Sequence, residues 1–95
     1  MTYSVYFTAD ARFDLDEIAE HIALESQMRA LDFIDELQLR IRNTLSVAPN
    51  GGRRYKGETR FLSFSNTTVL YEVDDAAKEV MVLKIVGRGV DWRKD

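Results

Sequence analysis

The residues best suited to chemistry in this sequence are basic: Arg53, Arg54 and Lys56 in one short stretch, then Arg60, Lys84, Arg88, Arg93 and Lys94. Gathered into one local patch, such groups can contact phosphate, each contact gaining from counterion release. Lys84 interrupts an apolar run with Val82 and Val86 on its own parity. It is therefore expected to project from the face opposite Met81, Leu83 and Ile85, into the open side of a sheet with Arg88, unless it only guards a strand edge against aggregation. Arg88, Asp91 and Trp92 form either a target-contacting tail or a cap in which Trp92 folds back on the core and Arg88 pairs with Asp91. Arg60 suits phosphate equally well as it suits a pairing with Glu72 across a hairpin. Tyr55, beside Arg54 and Lys56, is the one aromatic placed like a nucleic-acid contact. Other chemistries lack their residues. Cysteine is absent, which removes thiolate and disulfide chemistry, and one histidine, His21, cannot build a nitrogen-ligand zinc site. His21 lies near Glu20 and Glu25 and reads as a surface residue. No cofactor is expected.

The chain of 95 residues carries a formal charge of -3, unevenly distributed. Residues 1–36 hold nine acids and two bases, for -7, and residues 37–95 hold eleven bases and seven acids, for +4. One acidic and one basic face follow, which affects encounter and partner choice rather than fold. A sequence pI near 5.1 argues against extensive docking on ribosomal RNA. Hydrophobic residues make up 45%, enough for a real core in one small domain spanning residues 1–95. No basic stretch precedes a signal-length apolar run, and no uncharged apolar stretch approaches the roughly 20 residues of a membrane span. A soluble cytoplasmic protein without a membrane partner is the expectation.

The elements that must position these residues are legible from period and punctuation. Tyr3-Ser4-Val5-Tyr6-Phe7 is aromatic and β-branched and predicts a strand. Thr8 is a plausible N-cap for a helix over about Ala9–Leu24, whose Leu15, Ile18, Ala19 and Ile22 keep helical spacing. Ser26 caps a second helix, with Ala30, Phe33, Ile34, Leu37, Ile41 and Leu45 in one stripe, and Ala48-Pro49-Asn50-Gly51-Gly52 ends it. A basic loop follows. Thr59–Phe64, Thr67–Val73 and Glu79–Val86 then read as three strands in an antiparallel meander joined by short turns. Val69, Tyr71 and Val73, with Met81, Leu83 and Ile85, are expected on the sheet face that the helices cover. The fold class is α+β, in the order β-α-α-β-β-β, with a helical hairpin packed on one face of a small, mainly antiparallel sheet. Phe13, Met28 and Phe61 fit the core stripes poorly. They are candidates for covering by a partner that adds a helix or a strand.

Order and residues together form a pattern: Asp14-Leu15-Asp16-Glu17-Ile18, Arg29-Ala30 with Phe33-Ile34 and Leu37, Pro49 before Arg53, Arg60, Val69-Leu70-Tyr71-Glu72-Val73, Val82-Leu83-Lys84-Ile85, and a closing Gly87-Arg88 with Asp91-Trp92. From end to end this resembles the RelE/ParE toxin superfamily. The resemblance implies a growth-arresting toxin of a type II toxin-antitoxin module, of the plasmid-stabilising kind, held inactive by a cognate antitoxin. Phe13, Met28 and Phe61 are then antitoxin-binding candidates. ParE-like members poison DNA gyrase, and RelE-like members cut messenger RNA at the ribosome.

A RelE-like, metal-independent ribonuclease would use Arg60, Lys84 and Arg88 to stabilise phosphorane-like charge during attack by the ribose 2'-hydroxyl. Here, however, Thr68 stands where the third strand of RelE-like toxins carries a catalytic arginine, and no Tyr or His follows Arg88. The ParE-like alternative is therefore preferred, with no firm catalytic residues. It implies a gyrase-binding surface made of Arg60, Lys84, Arg88, Asp91, Trp92 and Arg93.

Overall fold

A computed structural model describes residues 2–64 and 66–87. Its elements are β1 (Ser4–Phe7), α1 (Ala9–Ala23), α2 (Gln27–Val47), β2 (Arg53–Arg54), β3 (Arg60–Phe64), β4 (Thr67–Asp74) and β5 (Glu79–Val86). Both helices start where the sequence predicts. The hydroxyl of Thr8, in extended backbone, accepts the Ala11 N–H at 3.1 Å, and the Ser26 hydroxyl accepts the Arg29 N–H at 3.3 Å. Each satisfies one of the N–H groups that a helix start leaves without an internal partner.

The sheet runs β1-β5-β4-β3-β2. The meander β3-β4-β5 is antiparallel, as expected, and β1 adds to β5 in parallel, pairing Val5 with Val80 and Phe7 with Val82. The basic segment after α2 is more than a loop. Arg53 and Arg54 pair with Phe61 and Arg60 as a two-residue edge strand. The helices cover one face, where Leu15, Leu37, Ile41 and Leu45 meet Val69, Tyr71, Val80, Val82 and Ile85.

The expected core face of β5 is only partly correct. Val80, Val82 and Ile85 are buried, whereas Met81 is exposed and Leu83 half-buried. A β-bulge explains the change. Leu70 pairs with Lys84 and Tyr71 with Val82, which leaves Leu83 as an extra residue on β5. One inserted residue reverses which side chains face the helices, so the core alternation of Val80 and Val82 continues at Ile85.

Tyr71 fixes the far side of the sheet. It is fully buried, and its hydroxyl accepts the Gly52 N–H at 2.9 Å. A Cβ on Gly52 would overlap that hydroxyl and lie 2.7 Å from the Phe61 carbonyl oxygen, so glycine is required by close approach. Burial pushes the Tyr71 phenol above its ordinary pKa, opposed by the Gly52 hydrogen bond and by the nearby Arg60 charge.

Candidate functional site

Lys84 reaches its position because of the bulge. Its register partner is Leu70, on the sheet face away from the helices, as are the neighbouring pairs Glu72–Met81 and Tyr6–Met81. The open face is therefore the expected one, although simple parity does not lead there: Val82, two residues before Lys84, lies in the core. The side chain of Lys84 is 58% exposed and its Nζ lies 3.6 Å from Oδ1 of Asp14 on α1.

Asp14 has a second contact. Pairing of β1 with β5 ends at Phe7–Val82, and beyond it α1 takes over the β5 edge. The Thr8 N–H donates to the Val82 carbonyl at 3.0 Å and its hydroxyl to the Leu83 carbonyl at 3.1 Å. Oδ2 of Asp14 accepts the Ile85 N–H at 2.9 Å. A helix start therefore substitutes for a strand at the edge, and the backbone that carries Lys84 is held by side chains instead of a ladder. The acidity of α1 gave no sign that Asp14 differs from its solvated neighbours, except that it falls on the apolar stripe beside Leu15.

Arg60 lies elsewhere. Its register partner is Tyr71, on the helix-covered face, and its Nη1 donates to the Gly52 carbonyl at 2.9 Å and the Asn50 carbonyl at 3.4 Å. It does not pair with Glu72, which sits on the opposite face and accepts the Thr59 hydroxyl at 3.0 Å. Arg60 thus holds the turn leading into β2, and Lys84 lies across the sheet from it. Lys56 stacks its ammonium 5.3 Å from the centre of the Tyr55 ring. Arg88, Asp91, Trp92 and Arg93 lie outside the described residues.

The partner-contact candidates separate into two groups. Phe13 on α1 and Met28 on α2 are 61% and 71% exposed, whereas Phe61 is half-buried opposite Leu70 on the open sheet face. Sequence reasoning missed further exposed apolar residues of the helical hairpin, Leu24, Leu31, Leu39 and Val47. For Leu31 and Leu39 the spacing with Met28 was the available signal, since all three fall on one side of the second helix, off its core stripe. Among the described residues no group of three or more His, Cys, Asp or Glu is arranged to hold a metal ion, and no helix is long and apolar enough to cross a membrane.

Comparison with solved structures finds the same fold in toxin-antitoxin complexes. The chain is similar to one in the chromosomal ParDE system of P. aeruginosa, with a TM-score of 0.75 and 24% identity over 90% of this chain and 96% of that one. It is similar to one in the RelBE2 complex of Mycobacterium tuberculosis, with a TM-score of 0.71 and 24% identity over 95% of both chains. The intact E. coli RelBE complex follows at 0.62 and 15%, over 93% of this chain and 99% of that one. No curated protein sequence matches. A model of the ParE toxin of the type II toxin-antitoxin system parDE matches residues 5–92. With the hairpin-on-sheet architecture already described, that match, which takes in nearly every element, makes this chain a member of the ParE toxin family of type II toxin-antitoxin systems.

Proposed function

We propose that the chain acts in the cytoplasm as a ParE-like toxin that arrests growth by binding DNA gyrase, cuts no RNA, and is neutralised by a cognate antitoxin. The observation that carries the choice of target is the separation of the basic groups. Arg60 lies on the helix-covered face with its guanidinium on the Gly52 and Asn50 carbonyls, and Lys84 lies on the other face beside Asp14. In-line cleavage needs positive charge at one phosphate, with proton donor and acceptor within about 3 Å of the reacting atoms. Two groups on opposite faces of a sheet do not converge on one phosphate, and Thr68 supplies no charge between them. Lys84 remains as a point of contact for a protein surface, joined in this reading by Arg88, Asp91, Trp92 and Arg93.

The antitoxin half of the reading is supported by two features. The similar solved structures include toxin-antitoxin complexes, and the helical hairpin exposes Phe13, Met28, Leu31 and Leu39 to solvent. Apolar surface of that kind suits a segment that folds as it binds, laid down as a helix or an added strand. Phe13 and Met28 then contact it from the helices and Phe61 from the sheet.

The test is expression of the chain without antitoxin in a bacterium. In the same arrested cells, reporter-plasmid supercoiling and DNA-damage induction are measured against the integrity of a translated messenger. Altered supercoiling or damage with intact messenger is expected. Codon-phased messenger cleavage without damage would overturn the gyrase reading and make Arg60, Lys84 and Arg88 catalytic candidates.

A further inference from the structure

Between α1 and α2 lies a cleft of about 330 Å³, within the range of about 300–1,000 Å³ in which small ligands are held. Its apolar wall is Phe7, Leu15 and Ile34, the first two nearly inaccessible to solvent. Its polar rim is Arg12 and Asp16 from α1 with Gln38 and Arg42 from α2. Arg42 is preset: its Nη1 donates to the Val5 carbonyl at 2.7 Å, and its guanidinium stands 4.9 Å from the centre of the Phe7 ring. Neither contact neutralises its charge. Among the described residues neither Arg12 nor Arg42 forms an ion pair, although Arg12 lies in the acidic first 36 residues, whose net charge is -7.

We propose that this cleft is a docking pocket for an acidic peptide segment of a partner protein. A peptide carboxylate is held by Arg12 and Arg42, an adjacent apolar side chain lies against Phe7, Leu15 and Ile34, and a peptide N–H donates to Asp16. The chemistry of each wall selects its part. A guanidinium fixed in place by existing contacts loses little rotamer freedom when it binds a carboxylate, and its planar fork matches that group. The apolar wall favours a carboxylate carried on a hydrophobic residue over a bare inorganic anion. Asp16 repels any carboxylate in the cleft, and only a peptide, through its N–H, offers that side chain a donor in return. That the antitoxin supplies this segment rests on the toxin-antitoxin reading above; the selectivity of the pocket does not.

The test uses the full chain, isotope-labelled, in solution NMR at constant ionic strength, with N-acetyl-leucine as the probe. N-acetyl-leucinamide, acetate and inorganic phosphate are the comparisons. N-acetyl-leucine should shift the signals of Phe7, Leu15, Ile34 and Gln38 saturably, and bind about tenfold more tightly than any comparison, as one charge-assisted hydrogen bond implies. Arg42→Gln should remove that preference. Arg12→Gln, which disturbs no contact of the folded chain described above, should reduce it independently, and Arg29→Gln should leave it intact. Equal binding of the amide, acetate or phosphate would overturn the proposal, as would shifts scattered outside the cleft or unchanged affinity in both Arg12→Gln and Arg42→Gln. Because the probe is not the antitoxin, a failed pocket and a failed toxin assignment give separate results.

Discussion

Replacing Asp14 by alanine tests the claim that a helix side chain completes the edge of β5. Its side chain is 11% exposed, and Oδ2 accepts the buried Ile85 N–H at 2.9 Å, a bond for which β1 offers no substitute. Asp14→Ala removes a charge-assisted bond and leaves that N–H without an acceptor, which costs about 1.5–3 kcal/mol. The ion pair to Lys84 adds little. The ammonium is mostly in water, at 3.6 Å, so its loss is about 0.5 kcal/mol or less after solvent screening. For a chain of this length, about 2 kcal/mol corresponds to a fall in melting temperature of roughly 8–16 °C. Asp14→Asn keeps an acceptor oxygen and should lose only about 1 kcal/mol, and Lys84→Met should be nearly neutral. Urea denaturation gives the three stabilities, and hydrogen exchange at the Ile85 amide locates the effect. If Lys84→Met destabilises as much as Asp14→Ala, or if Asp14→Ala leaves Ile85 exchange unchanged, the edge-completion argument is wrong.

Two further perturbations test other parts of the structure. Tyr71→Phe leaves the Gly52 N–H buried without its acceptor and should cost about 1–3 kcal/mol at neutral pH, read by denaturation. The raised phenol pKa keeps Tyr71 protonated in the native state after the unfolded chain has begun to ionise. Its contribution is therefore complete below pH ~10 and is lost as pH rises from there through the folded value, so Tyr71→Phe should flatten that alkaline decline. Tyr3, raised chiefly by donating its hydroxyl to Asp75, titrates in the same direction, and Tyr3→Phe is the control. Phe13→Ala and Met28→Ala should each change stability by less than about 0.5 kcal/mol, both side chains being mostly in solvent, yet weaken antitoxin capture in a pull-down from co-expressing cells.

The parts of the fold that depend on local chemistry were readable in advance. Thr8 and Ser26 cap their helices through the expected hydroxyls, Pro49 follows the end of α2, and β3, β4 and β5 match their apolar runs within a residue or two. What local pattern could not show was the consequence of pairing. An alternating run such as Val80 to Val86 has two apolar faces, and only the bulge at Leu83 decides that Val82 and Ile85 both turn inward. Arg53–Arg54 is too short to carry a period, and becomes a strand because β3 offers it an edge. The same limit applies to the site residues. Arg60 and Lys84 look alike in a strand sequence, but register sends one to the turn carbonyls and the other to Asp14.

The parallel pairing of β1 with β5 has a bearing on how the chain acquires its structure. The helical hairpin and the β3-β4-β5 meander join neighbours through short connections, but Ser4 must find Glu79 and Phe7 must find Val82. Closing a loop of that size costs about 4 kcal/mol in chain entropy, so β1 is the last strand with a reason to dock. During synthesis β1 leaves the ribosome first and waits for the strand made last among those described. Until β5 follows, Val5 and Phe7 have no sheet to join, and the sheet that carries Lys84 does not exist. A chain cut off before Glu79 therefore lacks both the partner of β1 and the strand on which Lys84 stands.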